Sequence, residues 1–282
     1  MIVSSYKYEK PKTLSALLEL NAQEGTKLLA GGTDILLLLK EDRIDPATVA
    51  DIKGVPELRG ICPIEGGIFI GAAETVQDVV EHPLAQPYHA LVEGAGHIGC
   101  YEIRHRATIG GNICNGSPAA DTLSPFVALD AQLVIKSAAG ERRALVKDIY
   151  LGANKVSLGP GELVTRIEFD RIDEYKTAFI KLGRRKALAI SRLNAAAAIR
   201  MKEGVIIGAR LVPGCVFAVP DRVTAAEEML LGNAPSEELF VRCGQRVSEE
   251  MIARTGIRWS TEYKKPAIEA LVERALRAAC AR

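Results

Sequence analysis

The spacing of apolar residues along the chain predicts a series of short amphipathic helices. Leu14, Leu17 and Leu18 recur at the i, i+3 and i+4 positions that share one helix face, and Thr13 before them is of a residue type that caps helices. Gly25 is expected to end this helix. The other predicted helices are one after Thr75, one over 88–98, one from Ser124-Pro125 through Leu129 and Ala131, one at the capping box of Thr224 and Glu227, one after Ser236, and a last one with Ile268, Leu271, Val272 and Leu276 on one face.

Short apolar blocks between these helices predict strands. Residues 163–169 alternate apolar and polar side chains, as a half-buried strand does. Residues 195–199 and 205–211 flank the turn Lys202-Glu203-Gly204 and so predict an antiparallel hairpin. A turn-like stretch over 53–56 and a change in composition near 171–174 mark candidate domain boundaries. The remaining predicted strands are 27–30, 49–52, 68–72 and 133–135.

Length and charge exclude several classes of protein. With 282 residues, the chain is long enough for two domains or one large one. Its 36 basic and 35 acidic residues leave a net charge of +1, so neither nucleic acid nor an anionic membrane is an expected partner. Residues 1–10 lack the apolar core of a secretory signal, and the aliphatic run 35–39 is far too short to span a bilayer. We therefore expect a cytoplasmic protein without membrane insertion.

Two glycine pairs carry the strongest functional signal in the chain. The first lies in Ala30-Gly31-Gly32-Thr33-Asp34 and the second in Thr108-Ile109-Gly110-Gly111-Asn112. Segments with so little side-chain bulk let the main chain approach a phosphate and direct N–H donors at it. Two of them together suggest a clamp on the pyrophosphate of a dinucleotide, although two unrelated tight turns would give the same pattern. The G-x-G-x-x-G and P-loop motifs are absent, which disfavours Rossmann dehydrogenases and P-loop ATPases.

The residues that usually form metal sites and nucleophiles follow no known motif. The six cysteines contain no C-x-x-C pair and the four histidines no H-E-x-x-H, so we expect reduced thiols and no metal site. The G-x-S-x-G elbow of hydrolases is also absent, and no catalytic side chain is assigned. A protein with a cofactor clamp and no acid–base machinery is best suited to moving electrons, because the cofactor then carries the chemistry.

Two charged groups could serve such a cofactor. Asp121 could accept a hydrogen bond from a ribityl or ribose hydroxyl, or it could simply cap the helix that follows. The basic cluster 181–186 could balance cofactor phosphate or an anionic reduced flavin, or it could be an ordinary solvated run of charge. The sequence leaves both pairs of alternatives open.

The two glycine segments, together with Ser117-Pro118-Ala119-Ala120-Asp121, resemble the FAD-binding medium subunit of molybdenum hydroxylases. That family includes xanthine, carbon monoxide and nicotinate or other N-heterocycle dehydrogenases. The segments 178–190 and 261–265 are similar to later parts of the same family, so the resemblance covers essentially the whole chain.

The resemblance implies an α+β fold: a vanillyl-alcohol-oxidase (PCMH)-type FAD-binding domain in two subdomains, 1–53 and 54–170, and a C-terminal α+β domain of the CO dehydrogenase flavoprotein type, 171–282. Thr108, Gly111 and Asn112 would bind the pyrophosphate from the second glycine segment, Asp121 would bind a cofactor hydroxyl, and Lys181 would lie near the flavin ring. The other implied FAD-binding residues are Lys27, Leu28, Leu29, Ala30, Gly31, Gly32, Thr33, Asp34, Ile35, Ile98, Gly99 and Val164.

The resemblance also implies partners. A large subunit would hold molybdopterin, a small subunit would hold 2Fe–2S clusters, and this chain would pass electrons through FAD to NAD⁺ or another acceptor, with xanthine or a related purine as the first substrate to test. No histidine lies in either glycine segment, so the FAD is expected to be non-covalent.

Two departures affect this reading. Asn115-Gly116-Ser117 differs from the family's usual residues, and the cysteine-bearing insertion of 4-hydroxybenzoyl-CoA reductases is absent. The alternatives are a self-sufficient flavoenzyme similar to UDP-N-acetylenolpyruvoylglucosamine reductase and a non-catalytic nucleotide-binding assembly protein.

Overall fold

The computed structural model of the chain describes residues 5–172 and 174–282. Helices and strands are mixed along the described chain, and three sheets follow one another in sequence order, with a two-stranded ribbon beside the second. This is the α+β architecture that the resemblance implied. The division at 53/54 and 170/171 stays a prediction.

The first sheet has three parallel strands in the order β1-β3-β2. Thr13 caps the first helix by accepting from the Ala16 N–H, and this helix buries Leu17 against the sheet. The aliphatic run 35–39 forms a second helix, which begins directly after the first glycine pair. The elements are β1 (Lys7–Glu9), α1 (Leu14–Asn21), β2 (Thr26–Leu29), α2 (Ile35–Lys40) and β3 (Thr48–Asp51).

The second sheet has five antiparallel strands in the order β4-β5-β10-β6-β7. Five short helices lie in this part of the chain, and all of them except Tyr101–Arg104 bury side chains in a core that includes Ile70, Phe126 and Ile167. The elements are β4 (Ile61–Ile64), β5 (Gly67–Gly71), α3 (Val76–Glu81), α4 (His89–Gly96), α5 (Tyr101–Arg104), α6 (Ile109–Cys114), α7 (Leu123–Ala128), β6 (Gln132–Ser137), β7 (Gly140–Leu145), β8 (Tyr150–Gly152), β9 (Lys155–Val156) and β10 (Leu163–Asp170).

The third sheet is an antiparallel meander that is covered on both faces. The core around the second sheet includes Phe179, Ala196 and Val212 of this third sheet. The core beneath the last three helices includes Ala195 and Leu211. Because helices close over both faces, the central strand is a nearly continuous buried run of small residues. The elements are β11 (Tyr175–Gly183), β12 (Ser191–Lys202), β13 (Val205–Gly214), α8 (Thr224–Leu230), α9 (Glu237–Thr255) and α10 (Thr261–Cys280).

Most local predictions are confirmed, among them the caps at Thr75 and Ser236 and the hairpin of β12 and β13. The helix start at Ser124-Pro125 is wrong. Helix α7 begins at Leu123, two residues before the predicted first position at Pro125, and the buried Ser124 hydroxyl donates instead to Asn194 at 2.7 Å. The helix also ends at Ala128, so it does not continue through Ala131.

The predicted capping box at Thr224 is also wrong. Val223 occupies the cap position of α8, and no side chain caps it. Glu227, the expected partner in that box, is buried and accepts hydrogen bonds from the Leu211 N–H at 2.8 Å and from both ends of the Arg222 guanidinium at 2.8 and 2.9 Å. Glu227 thus fastens α8 to β13, and it raises the pKa of Arg222 through these hydrogen bonds.

Replacing Glu227 with alanine should destabilise the chain by about 2–3 kcal/mol, because the buried Leu211 N–H would lose its acceptor and the Arg222 guanidinium would keep only its longer bonds to Asp130. Urea unfolding measures the change. Glu228→Ala is the matched control, since Glu228 is the exposed neighbour on the same helix, and we expect a change below about 0.5 kcal/mol there. Equal effects of the two substitutions would contradict this role of Glu227.

Candidate functional site

A cleft of about 310 Å³ opens between the part of the chain that forms the first sheet and the part that forms the second sheet. Its walls bring together both glycine segments, which are far apart in sequence. Twelve of the predicted site residues line it: Lys27, Leu28, Ala30, Gly31, Gly32, Thr33, Asp34, Ile35, Thr108, Gly111, Asn112 and Val164.

The two glycine segments meet through backbone packing at Gly31. A Cβ atom at residue 31 would collide with the carbonyl oxygen of Arg106 and would lie 2.7 Å from the Cα of Ala107. Any side chain would therefore push the first loop off the second segment, so only glycine fits here. At the next position, Gly32 has a φ of +82°, which other residues rarely adopt. Glycine is therefore required at residue 31 because two backbones approach closely there, and it is favoured at residue 32 because the backbone has a positive φ.

The first loop presents unpaired backbone donors. Within the described chain, the N–H groups of Gly31, Gly32, Thr33 and Asp34 donate no hydrogen bond to another protein atom. These four residues are half-buried or exposed, so their N–H groups are accessible from the cleft and form a run of donors that suits an anion.

A buried polar group holds this loop in place. The Lys53 ammonium donates to the Ala30 carbonyl and to Asp51, each at 2.9 Å, and the Tyr8 hydroxyl donates to Asp51 at 2.6 Å. Burial alone would raise the pKa of Asp51, but the hydrogen bonds from Tyr8 and Lys53 outweigh it and hold the pKa below its ordinary value. The hydrogen bond from Lys53 thus fixes the Ala30 carbonyl, directly before the four free N–H groups.

The backbone N–H groups of the second glycine segment are not free, in contrast to the prediction from the sequence. It is the start of helix α6, capped by Thr108, and its donors are already used. The Gly110 N–H donates to the Ala72 carbonyl at 2.9 Å and the Gly111 N–H to the Thr108 hydroxyl at 3.1 Å. The prediction of free backbone donors from this segment is therefore wrong. Cofactor contacts of Thr108, Gly111 and Asn112 stay predictions.

Side chains of the second segment still shape the cleft. The Thr122 hydroxyl donates to the Asn112 carboxamide oxygen at 2.6 Å, which leaves the Asn112 amino group without a partner among the described residues. Asn115 donates to Asp34 at 3.3 Å and so ties the rim of one segment to the other. Asn115, Asp34 and Asn112 all lie on the cleft wall.

The rest of the cleft wall is mostly apolar. Burial raises the pKa of the Cys114 thiol to about 12, so this cysteine stays protonated and unreactive at neutral pH. Among the described residues no cluster of histidine, cysteine and carboxylate side chains could hold a metal ion. Gly110, part of the second glycine pair, also lies on the wall. Wall residues that the sequence analysis did not assign to the site are Leu38, Ile44, Ile52, Ala72, Ala107, Cys114, Asn115, Leu158, Glu162 and Leu163, most of them ordinary aliphatic residues without a recognisable pattern.

Five predicted site residues do not line this cleft: Leu29, Ile98, Gly99, Asp121 and Lys181. The last two form a buried pair. The Lys181 ammonium lies 2.5 Å from one Asp121 oxygen and donates to the His97 carbonyl at 3.0 Å, and the Ser191 hydroxyl donates to the other Asp121 oxygen at 2.5 Å. Asp121 therefore does not cap a helix. Its contact with a cofactor hydroxyl stays a prediction.

The buried pair joins the second part of the chain to the third sheet. Burial raises the pKa of the Asp121 carboxyl, against the lowering by Lys181 and Ser191. Lys181 also brings the third sheet next to His97, the residue before Ile98 and Gly99. The structure thus gathers Ile98, Gly99, Asp121 and Lys181 at a second location, separate from the wall of the cleft.

Comparison with known proteins identifies the family. Residues 4–170 match the model of the FAD-binding domain in molybdopterin dehydrogenases, and residues 178–279 match the CO dehydrogenase flavoprotein C-terminal domain. The chain belongs to this family. It carries the FAD-binding domain followed by the flavoprotein C-terminal domain, which confirms the fold and the family expected from the sequence.

Relatives and solved structures agree over nearly full length. The FAD-subunit of nicotinate dehydrogenase from Eubacterium barkeri is 31% identical, over 96% of this chain and 95% of that protein. The xanthine dehydrogenase FAD-binding subunit of Escherichia coli O157:H7 is 31% identical, over 97% of this chain and 96% of that protein. The structure of carbon monoxide dehydrogenase from Hydrogenophaga pseudoflava superposes with a TM-score of 0.91 at 28% identity, covering 100% of this chain and 99% of that one.

The cleft of this FAD-binding subunit suits the cofactor of its family. Four unpaired backbone N–H groups and the close-packed Gly31 offer a surface for the anionic pyrophosphate of FAD, and the apolar wall suits the less polar parts of the molecule. Among the described residues no helix is long and apolar enough to cross a membrane.

Gly31→Ala should weaken FAD binding at least tenfold, because the added Cβ would force the donor loop, residues 31–34, away from Arg106 and Ala107. Flavin fluorescence titration of the FAD-free protein measures the affinity. Gly96→Ala is the control, since a Cβ at residue 96 meets no atom within 4 Å, and it should leave the affinity unchanged. Unchanged affinity in Gly31→Ala would contradict the placement of the cofactor against this loop.

A double-mutant cycle tests the buried pair. Asp121→Asn should cost about 3–5 kcal/mol in the FAD-free protein, because it leaves the buried Lys181 ammonium without a counter-charge. Adding Lys181→Met should recover part of that loss, since the unpaired charge is then removed. Urea unfolding of both single variants and the double variant gives the coupling energy. Simple additivity would show that the two groups do not stabilise each other.

Proposed function

We propose that this FAD-binding subunit is the electron-exit subunit of a molybdenum hydroxylase. In this proposal a separate large subunit binds molybdopterin and oxidises the substrate, a small subunit carries 2Fe–2S clusters, and this chain delivers the electrons to NAD⁺. The relatives are subunits of nicotinate, xanthine and carbon monoxide dehydrogenases, which supports a place in a multi-subunit dehydrogenase.

The donor loop carries this proposal. The N–H groups of Gly31 to Asp34 bind the pyrophosphate, and Lys53 holds the loop so that those donors stay directed into the cleft. The neighbouring predicted contacts, Lys27 to Leu29, Ile35 and Val164, complete the binding segment together with Thr108, Gly111 and Asn112. Ile98, Gly99, Asp121 and Lys181 form the flavin-ring end, where the ion pair of Asp121 and Lys181 holds both side chains in place.

Bound FAD supplies chemistry that no side chain offers: it takes up single electrons and gives up two together as hydride. The chain contributes position and electrostatics. The Cys114 thiol, whose pKa is raised to about 12 by burial, cannot act as a nucleophile at neutral pH, and this supports a non-covalent cofactor. Xanthine or a related N-heterocycle is the proposed substrate of the whole complex, because two of the relatives above act in dehydrogenases of such compounds.

An absorbance spectrum of the purified, FAD-loaded chain tests the proposal. Anaerobic NADH should bleach the flavin bands, since hydride transfer to NAD⁺ runs in reverse when NADH is in excess. Acid precipitation should release the flavin into the supernatant if it is non-covalent. Gly31→Ala, prepared in parallel, should retain less flavin than the unmodified chain, as expected from its weaker binding.

Other results would assign a different role. Flavin that NADH leaves oxidised, but that a reduced 2Fe–2S protein bleaches, would rule out NAD⁺ as the acceptor while keeping the electron-transfer role. A chain that purifies without partner subunits and turns over a substrate alone would be a self-sufficient flavoenzyme, and the subunit proposal would fail.

A further inference from the structure

A buried serine completes the ion pair of Asp121 and Lys181. The Ser191 hydroxyl donates to one Asp121 oxygen at 2.5 Å, and the Lys181 ammonium lies 2.5 Å from the other oxygen. Ser191 is 6% exposed, and the side chains of Asp121 and Lys181 are 6% and 7% exposed. A carboxylate at this depth depends on protein donors for its hydrogen bonds, so Ser191 and Lys181 together fix its position. The sequence analysis assigned Ser191 to no site.

An irregularity in the third sheet brings Ser191 to the same face as Lys181. The register of β11 with β12 shifts after Leu182, and Gly183 then pairs with Ser191, so Arg192 is the extra residue of a bulge. Positions 181 and 183 share one face of β11, and directly paired residues share a face as well. Without the bulge, Gly183 would pair with Arg192, and Ser191 would lie on the opposite face of the sheet from Lys181.

The Lys181 ammonium retains one N–H donor. An ammonium group has three donors, and the Asp121 carboxylate and the His97 carbonyl accept two of them. The described part of the chain offers no acceptor for the third. Because buried donors are nearly always paired, the third N–H indicates an acceptor that does not belong to the chain. In the proposed function, the flavin ring supplies this acceptor.

A second serine in the chain makes a similar bond in a purely structural setting. The buried Ser248 hydroxyl donates to the Glu269 carboxylate at 2.6 Å and so joins α9 to α10. Neither Ser248 nor Glu269 lines the cofactor cleft. Glu269 forms no ion pair among the described residues, whereas Asp121 holds an ammonium group that has an unused donor. The two serines therefore differ in what their carboxylates hold.

We propose that Ser191 is a positioning residue of the flavin-ring end: it holds Asp121 against Lys181, so that Lys181 presents its third N–H to the flavin. This inference rests on the proposed FAD-dependent function. It adds a residue that acts on the cofactor through Asp121 and Lys181 and not by direct contact.

The midpoint potential of FAD bound to the full chain, measured by anaerobic spectroelectrochemical titration, tests the proposal. Ser191→Ala should weaken the binding of reduced relative to oxidised FAD about tenfold, which for a two-electron couple lowers the potential by about 30 mV. The reason is that an Asp121 oxygen without its donor leaves negative charge beside a ring that gains electrons. Ser191→Thr keeps the hydroxyl and should return that binding ratio to within about twofold of the unmodified chain.

Ser248→Ala is the matched control, because it removes a buried hydroxyl from a carboxylate outside the flavin-ring end. It should lower the free energy of unfolding about as much as Ser191→Ala does and leave the potential unchanged. In an Asp121→Asn background, Ser191→Ala should shift the potential less than half as much, since the charge that Ser191 positions is gone. Ser191→Cys, which nearly keeps the volume but donates only weakly, carries the same prediction if the alanine variant does not fold.

Three outcomes would overturn the inference. An unchanged potential in Ser191→Ala, together with a stability loss like that of Ser248→Ala, would make Ser191 a structural contact only and leave the proposed function intact. An equal shift of the potential in Ser248→Ala would show that the potential responds to a general loosening of the chain. An unmodified chain that binds no FAD would overturn both the role of Ser191 and the proposed function.

Discussion

The contact between Gly31 and the backbone of Arg106 and Ala107 is the constraint on which the cofactor cleft depends. Two segments that are far apart in sequence lie so close there that no Cβ atom fits between them. The contact brings the free N–H groups of one segment into the same cleft as Thr108 and Asn112 of the other. Lys53 and Asp51 then hold the donor loop from behind. Without the close approach, the same residues would form two separate turns.

A second constraint acts between the FAD-binding domain and the C-terminal domain. Asp121 and Lys181 form a buried ion pair that Ser191 completes, and Ser124 and Asn194 pair nearby. Charges buried in this way seldom add much stability over an apolar contact, but a mismatched arrangement leaves them unpaired and costs several kcal/mol. Such a pair therefore specifies one relative position of the two domains. The apolar contact of Phe179 and Ala196 with the neighbouring core supplies the attraction.

Sequence reasoning succeeded where the determining interactions are local. Thr13, Thr75 and Ser236 cap helices through bonds to residues three positions away, so a short window contains the whole cause. It failed where a distant partner competes for the same group. The Ser124 hydroxyl and the Glu227 carboxylate have good capping patterns, yet one bonds Asn194 and the other Leu211 and Arg222.

The same distinction between local and distant interactions applies to the candidate site. The glycine pairs could be recognised from the sequence, and the resemblance supplied the family, but the free donors of the first pair and the occupied donors of the second could not be told apart. For Gly110 that difference depends on Ala72, which approaches it only in the folded chain, whereas the Gly111 donor is taken by the nearby Thr108. The pairing of Asp121 with Lys181 and Ser191 was equally hidden, because the partners lie 60 and 70 residues away.

The donor loop has a consequence for how this family can diverge. Its four N–H groups belong to the main chain, and every residue except proline carries the same donor. Recognition of a phosphate by such groups requires a fixed path of the backbone and places little demand on side-chain identity beyond the two glycines. Substitutions can therefore accumulate around the loop while the geometry of phosphate recognition is kept. Proteins of about 30% identity can then keep one FAD-binding domain, as this chain and its nicotinate and xanthine dehydrogenase relatives do.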